Sequence, residues 1–241
     1  MQLGPLKTLR RALKRTLIDP ANRHIDAWRM NEAIRQLRGA SAADRKLLRR
    51  LHRAWGNEAY SADVTYVGEV AKRVPACSGP ILECGSGLTT IVAGILAERR
   101  GLSVWSLEQD ADWAEHVGRF LKSHEIANTR VIHAPLKRYG DYVWYDIEGI
   151  ELPSRFDLVV CDGPAVFEHW GDAFLQWRYG VLPVLASRSI GVGEILLDDA
   201  TEPRAARLLT RWSDEFAYAH RLLESADGDC ALASRQGYTA A

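Results

Sequence analysis

The spacing of apolar positions changes character near Pro75. Before it, apolar residues recur at helical intervals. Leu6, Leu9, Leu13 and Leu17 form one stripe of residues 5–18, with Lys7, Arg10, Arg11, Lys14 and Arg15 elsewhere. Asp19-Pro20 ends that stretch, because the residue before a proline is pushed out of the helical region. The pattern predicts a second helix from Ile25 to Leu37 that stops near Gly39. A third carries Leu47, Leu48, Leu51 and Trp55 on one face, with Ser41 and Asp44 resembling a capping box and Gly56-Asn57 as its break. A fourth runs from Ser61 to Val74 and ends at Pro75.

After Pro75, short apolar runs alternate with amphipathic segments, the βα rhythm of an open parallel sheet. Strands are expected at Pro80–Cys84, Ser103–Leu107, Arg130–Ala134, Phe156–Cys161 and Gly193–Leu197. Helices are expected near Thr89–Arg99, Asp112–His124, Trp170–Leu185 and Glu202–Trp212. Trp113, Val117, Phe120 and Leu121 make a core-facing stripe. Two last apolar runs, Phe216–Leu223 and Cys230–Ser234, flank Asp227-Gly228, a strong turn signal, and read as a hairpin. The fold class expected is α/β: a doubly wound, mostly parallel, seven-stranded Rossmann-like sheet with an antiparallel C-terminal hairpin and a helical N-terminal extension.

Composition narrows the function classes. With 47% hydrophobic and 26% charged residues in 241, the chain has the material for a core. Its longest apolar runs, such as Val181–Ala186, fall short of the ~18 residues of a membrane span. The first residues carry no apolar signal-peptide region. Four cysteines without CxxC pairing argue against a disulfide framework or a zinc site, so a reducing cytoplasmic setting is expected. The net charge of zero hides an asymmetry: residues 1–75 carry 16 Lys+Arg against 7 Asp+Glu, and residues 76–241 carry 15 against 24. Two opposed halves suggest two jobs. We divide the chain into a basic helical extension, 1–57, and a sheet domain, 58–241.

The first strand runs into Ile81-Leu-Glu-Cys-Gly-Ser-Gly-Leu-Thr-Thr90. Here the chain must turn from strand to helix while its backbone approaches a ligand, which Gly85 and Gly87 allow. A dinucleotide site wants G-x-G-x-x-G, but Thr90 holds the sixth position. Glu83, two residues before the first glycine, would repel a pyrophosphate and suits a cationic group. The second strand ends in Glu108, 25 residues after Glu83, where an acid can accept hydrogen bonds from both ribose hydroxyls of a nucleoside. The plainer alternative is a strand-end acid or helix cap, a role Asp110 fills equally well. The fourth strand ends in Cys161-Asp-Gly-Pro164. That places Asp162 at the same strand ends as Glu83 and Glu108, or else as a cap of the Asp-Gly-Pro turn.

These strings resemble class I S-adenosylmethionine (SAM) methyltransferases. ECGSGLTT is similar to their E/D-x-G-x-G motif, and the strand ending in D-G-P is common among them. The resemblance covers roughly residues 58–241. It implies SAM as cofactor, held by Glu83, Gly85, Ser86, Gly87, Thr89, Glu108, Gln109, Ala134 and Asp162. Many relatives read the adenine amino group with an acid after the third strand. Here His133-Ala-Pro-Leu136 offers only backbone, at Ala134 or Leu136.

The fifth strand ends in Asp198-Asp199, and adjacent carboxylates need a cation or donors to offset them. In catechol-type O-methyltransferases, acids at the ends of the fourth and fifth strands hold magnesium. The resemblance implies Asp162, Asp198 and Asp199 as candidate Mg²⁺ ligands, with a departure at Ala200, where those enzymes usually carry asparagine. The alternative is that Asp198 or Asp199 caps the next helix or pairs with Arg204. Candidate bases for an acceptor proton are Asp162, His169 or a metal-bound alkoxide, and Asp199 joins the catalytic set through the same centre. The segment Tyr139–Asp146 places Tyr142, Trp144 and Asp146 on one strand face, either as an aromatic wall beside the cleft or as a hairpin packed on the sheet.

The chemistry implied is in-line attack by an acceptor on the SAM methyl group, with the site holding both reactants aligned. No N-P-P-[YF] string of amino-group methyltransferases is present, which favours an oxygen on a small molecule or glycan. The rivals are an RNA methyltransferase using the basic segment, a non-catalytic nucleotide-binding module, and a nicotinamide oxidoreductase, the last disfavoured by Thr90 and Glu83. Residues 5–18 are a candidate amphipathic helix for an anionic membrane face, which would make the protein peripheral to a membrane; the plainer alternative for residues 1–57 is a helical cap that covers the sheet domain's cleft or forms a dimer contact.

Overall fold

The computed structural model describes residues 26–40, 43–56, 61–224 and 229–235. The stripe at 5–18, Ser41 and the Asp227-Gly228 turn lie outside them. The N-terminal layer is three helices: α1 (Ala27–Gly39), α2 (Arg45–Trp55) and α3 (Val64–Arg73). Each starts on an aspartate, Asp26, Asp44 or Asp63, whose carboxylate accepts a free first-turn amide. The cap of α2 is therefore Asp44, one residue before the helix.

Five strands alternate with helices in the order expected: β1 (Ile81–Cys84), α4 (Leu88–Glu98), β2 (Val104–Glu108), α5 (Ala111–Ser123), β3 (Thr129–His133), and, after a small hairpin β4 (Leu136–Tyr139) and β5 (Tyr142–Tyr145), β6 (Arg155–Cys161), then α6 (Val181–Ser187), β7 (Gly191–Leu197) and α7 (Pro203–Phe216). The chain ends in β8 (Tyr218–Glu224) and β9 (Asp229–Arg235). The main sheet has the order β3-β2-β1-β6-β7-β9-β8. β9 enters antiparallel between β7 and β8. This is the doubly wound sheet with a C-terminal hairpin that the patterning predicts. Strand order reverses between β1 and β6, the place where open α/β sheets bind ligands.

The segment after β6 departs from expectation. In place of one helix over Trp170–Leu185, a 3-10 stretch, Glu168–Gln176, is interrupted by Gly171 at φ 61°, and only Val181–Ser187 is α-helical. Arg178, at φ 57°, turns the chain between them. Residues 139–146 form the hairpin of the plainer reading. Trp144 and Tyr145 are buried, and Tyr142 stacks on Tyr139 and meets Tyr179 edge-on. They are core residues and not an open wall.

Period-2 alternation divides the core between the sheet's two faces. Ile81, Leu158 and Val160 face α1–α5, whereas Leu82, Cys84, Val159 and Cys161 face α6 and α7. α4 is buried at every position from Leu88 to Ala97. A helix apolar all round needs cover on every side. The sheet supplies one side, and α1 to α3 supply the other through Met30, Ile34, Leu37, Leu51 and Val67, all in one continuous core with α4. The described part of the basic extension thus shares the core of the sheet domain. Trp55 closes it, edge-on to Trp113 at 5.9 Å and to Phe120 at 5.4 Å. No helix among the described residues is long and apolar enough to cross a membrane.

Trp55→Ala is expected to lower stability by about 3–5 kcal/mol, the usual result of emptying a buried tryptophan site. A chain lacking residues 1–57 is expected to lose cooperative unfolding, because α4 is left half uncovered. Urea unfolding followed by circular dichroism checks both.

Candidate active site

The site is built where the sheet reverses. Gly85, at φ 90°, follows β1, and Gly163 follows β6. A Cβ on Gly85 would stand 3.1 Å from the Gly163 backbone. One on Gly163 would stand 2.9 Å from both the Cys84 carbonyl and the Gly85 Cα. The Gly163 amide donates to the Cys84 carbonyl at 2.5 Å. Two loops joined backbone to backbone explain both glycines.

Glu83 lies in β1 on the α4 face and is fully buried. Its Oε2 accepts from Thr90 Oγ1 at 2.5 Å and Ser106 Oγ at 2.6 Å, while Oε1 has no hydrogen-bond partner. Thr90 Oγ1 in turn accepts from the Gly87 amide at 2.8 Å. The residue that breaks the dinucleotide fingerprint is therefore a staple: it ties the loop to the acid beneath it, and glycine there would do neither. Burial pushes the Glu83 carboxyl up to about 7, with the hydroxyl donors, Ser106 first, only partly opposing it.

Glu108, at the tip of β2, is distinct from the cap of α5. Asp110 is that cap and accepts from the Trp113 amide. Glu108 accepts from the Ser86 amide at 2.9 Å, the Ser86 hydroxyl at 2.8 Å and the Asp110 amide at 3.0 Å. Trp113 Nε1 donates to the Ser86 carbonyl at 2.9 Å, so both sides of Ser86 are held. The Gln109 side chain exchanges two hydrogen bonds with the Ala165 backbone, at 2.9 and 3.1 Å. Because β1 lies between β2 and β6, this clasp bridges the two strands that flank β1. The Ala134 amide is spent on the Glu108 carbonyl. Thr89 is buried in the first turn of α4.

The acids of β6 and β7 do converge. One carboxylate oxygen from each of Asp162, Asp198 and Asp199 lies within 4.8 Å of the other two. Among them stands a residue that the sequence reading missed. Arg178 Nη2 bonds Asp162 Oδ1 at 3.1 Å and Asp199 Oδ2 at 3.2 Å, and Nη1 donates to the Asp198 carbonyl at 2.7 Å. Its guanidinium lies 3.6 Å from the Trp177 ring centroid. Burial opposes its charge, but Asp199 and Asp162 more than offset this and keep its pKa above the ordinary value. Asp198 is buried, and burial, with Asp162 and Asp199 beside it, holds its carboxyl well above the usual range. Glu202 holds the N-cap position of α7, and Arg204 pairs with Glu202. Nothing local in Gln176-Trp-Arg-Tyr-Gly180 announces this role for Arg178, 16 residues from Asp162 and 21 from Asp199. His169 is exposed, stacks on Phe167 and lies tilted against Trp170.

No family model matches the chain, and comparison with curated proteins gives no match. Solved structures do match in fold. Cofactor-bound Rv0187 from MTB is 16% identical, with TM-score 0.54 over 97% of this chain and 98% of that one. The SAH-bound Podospora anserina methyltransferase PaMTH1 is 13% identical, with TM-score 0.54 over 96% and 97%. The delta-N METTL16 MTase domain is 12% identical, with TM-score 0.52 over 80% and 96%. The fold is that of class I SAM methyltransferases.

The raised Glu83 carboxyl has a signed consequence. Between the ordinary value of 4.5 and about 7, the folded chain keeps a proton that the unfolded chain releases, so stability falls as pH rises through that window. At about 1.4 kcal/mol per unit the loss reaches about 3 kcal/mol. Glu83→Gln, which keeps an acceptor oxygen for Thr90 and Ser106, is expected to remove most of it. Urea midpoints of both proteins at pH 5 and pH 8 make the comparison.

Proposed function

We propose that the chain is a SAM-dependent methyltransferase acting on an oxygen of a small-molecule or glycan acceptor. The observation that carries this reading is the grouping at the strand reversal of a class I methyltransferase fold: the glycine loop after β1, Glu108 at the tip of β2 and Asp162 at the tip of β6. The residues fit the cofactor. At Gly87 nothing stands within 4 Å of where a Cβ would be, so a ligand can approach the loop backbone there, and Glu108 is the only carboxylate of β2. SAM, when bound, supplies an electrophilic methyl group on a sulfonium.

Glu108 binds the ribose hydroxyls, exchanging its Ser86 donors for them. Gly85, Ser86 and Gly87 present the loop backbone, with Thr89 at the start of α4. Gln109 and Ala165 close over the nucleoside from opposite sides. Asp162 receives the acceptor proton, oriented by Arg178, with Asp199 as the other anchor of that arginine. This arrangement supplies proximity and proton transfer, which together account for much of the rate of such a displacement. His169 belongs with Phe167 and Trp170 to an exposed aromatic group on the acceptor side.

One observation favours a second reading. On α2, Arg45, Lys46, Arg49, Arg50 and Arg53 are all exposed on one face, and the helix carries no acid. No apolar residue interrupts that stripe, which suits a phosphate backbone better than insertion into a bilayer. In this reading the acceptor is carried on RNA.

Glu108→Ala is expected to weaken SAH binding at least tenfold, about 1.4 kcal/mol, measured by calorimetry. An unchanged affinity removes the ribose assignment. For the second reading, Arg45→Glu with Arg49→Glu is expected to abolish a salt-sensitive retention of single-stranded RNA by the wild type. Wild-type protein that holds no RNA at low salt leaves the small-molecule reading standing alone.

A further inference from the structure

The centre formed by Asp162, Asp198 and Asp199 has the oxygen donors of a divalent-cation site, and it already contains a cation. The same atom, Arg178 Nη2, bridges an oxygen of Asp162 and an oxygen of Asp199. A magnesium-like ion bound to both oxygens sits about 2.0–2.1 Å from each. That position falls against Nη2, and the two like charges exclude one another. Arg178 does not reach in from solvent on a loose stem. It is buried, its Nη1 is fixed on the Asp198 carbonyl, and its guanidinium lies on the Trp177 ring. Its backbone holds a left-handed φ of 57°, and Asp199 holds one of 54°, conformations that persist only where the surrounding structure fixes them.

We propose that Arg178 is the resident cation of this centre, in place of a divalent ion, and that Asp162, Asp198 and Asp199 hold no metal in the working protein. A guanidinium neutralises and aligns the acids, but it does not coordinate an acceptor oxygen as a Lewis acid. If the methyl transfer proposed above is correct, the acceptor is selected by shape and hydrogen bonding. Chelation of two neighbouring oxygens plays no part, and the proton goes to a carboxylate.

The test is a Mn²⁺ titration of the full chain, stripped with EDTA and desalted, with free Mn²⁺ read by electron paramagnetic resonance. Wild type is expected to leave Mn²⁺ free. Arg178→Ala and Arg178→Gln are expected to bind it at least about tenfold more tightly than wild type, and adding Asp199→Asn to either is expected to cancel the gain. One Mn²⁺ bound per wild-type chain and lost in Asp199→Asn overturns the proposal, as do folded Arg178 variants that bind no better than wild type. Circular dichroism reports folding. If neither arginine variant folds, wild type and Asp199→Asn decide alone, binding in wild type overturning the proposal and its absence supporting it. SAH-induced thermal stabilisation, measured on the same samples with and without EDTA, reports on the methyltransferase reading separately. That reading fails if no shift occurs, whatever Mn²⁺ does.

Discussion

The site rests on the meeting of two main chains at Gly85 and Gly163. The amide of one loop bonds the carbonyl that ends β1, and neither position has room for a Cβ. That contact sets the height of the glycine loop above the sheet. From it follow the approach of Asp162 to the end of β1 and the span that Gln109 crosses to reach Ala165. Polar groups then lock what the backbone contact allows. Thr90 ties the loop to Glu83 below, and Glu108 and Trp113 hold Ser86 from either side. The turn keeps its geometry because the amides of Gly85, Ser86 and Gly87 each have an acceptor, at Leu107, Glu108 and Thr90.

The same loop opens α4, whose burial explains the helical layer before the sheet. A helix with no polar face cannot border water, so α1 to α3 are part of the structure that holds the site. The link is physical at Trp55, which packs on Trp113, whose indole donates to the Ser86 carbonyl. The inner face of α2 thus reaches the loop through two tryptophans, while its outer face presents only cations and His52. One short helix serves the core and the surface with opposite sides.

The acid centre shows how cost and specificity divide. Three carboxylates this close repel one another, and burial raises that cost. Arg178 makes the arrangement tenable, with the stacking of Trp177 and a backbone carbonyl as further support. Deleting one member of a buried ionic group typically costs about 3–5 kcal/mol, because the remaining charges are left uncompensated. The chain tolerates that exposure to failure at the strand tips, where chemistry needs charged groups held still.

Much of this was legible in the residues alone. Period-2 and period-3.6 patterns placed all five βα strands to within about two residues, because burial on one face or both writes itself into local sequence. The glycine loop, Glu108 and Asp162 were legible too, since a strand-end position and a turn-forming neighbour are local properties. The break at Gly171 was not. Helical spacing in Trp170–Leu185 is compatible with a helix, but the structure breaks it and places Arg178 against Asp162 and Asp199. An ion pair between residues 16 and 21 positions apart on different elements leaves no periodic trace. The sequence determined which strands exist and which acids stand at their ends. The tertiary structure alone decided that the cation among those acids is an arginine, because only packing brings that turn over the strand tips.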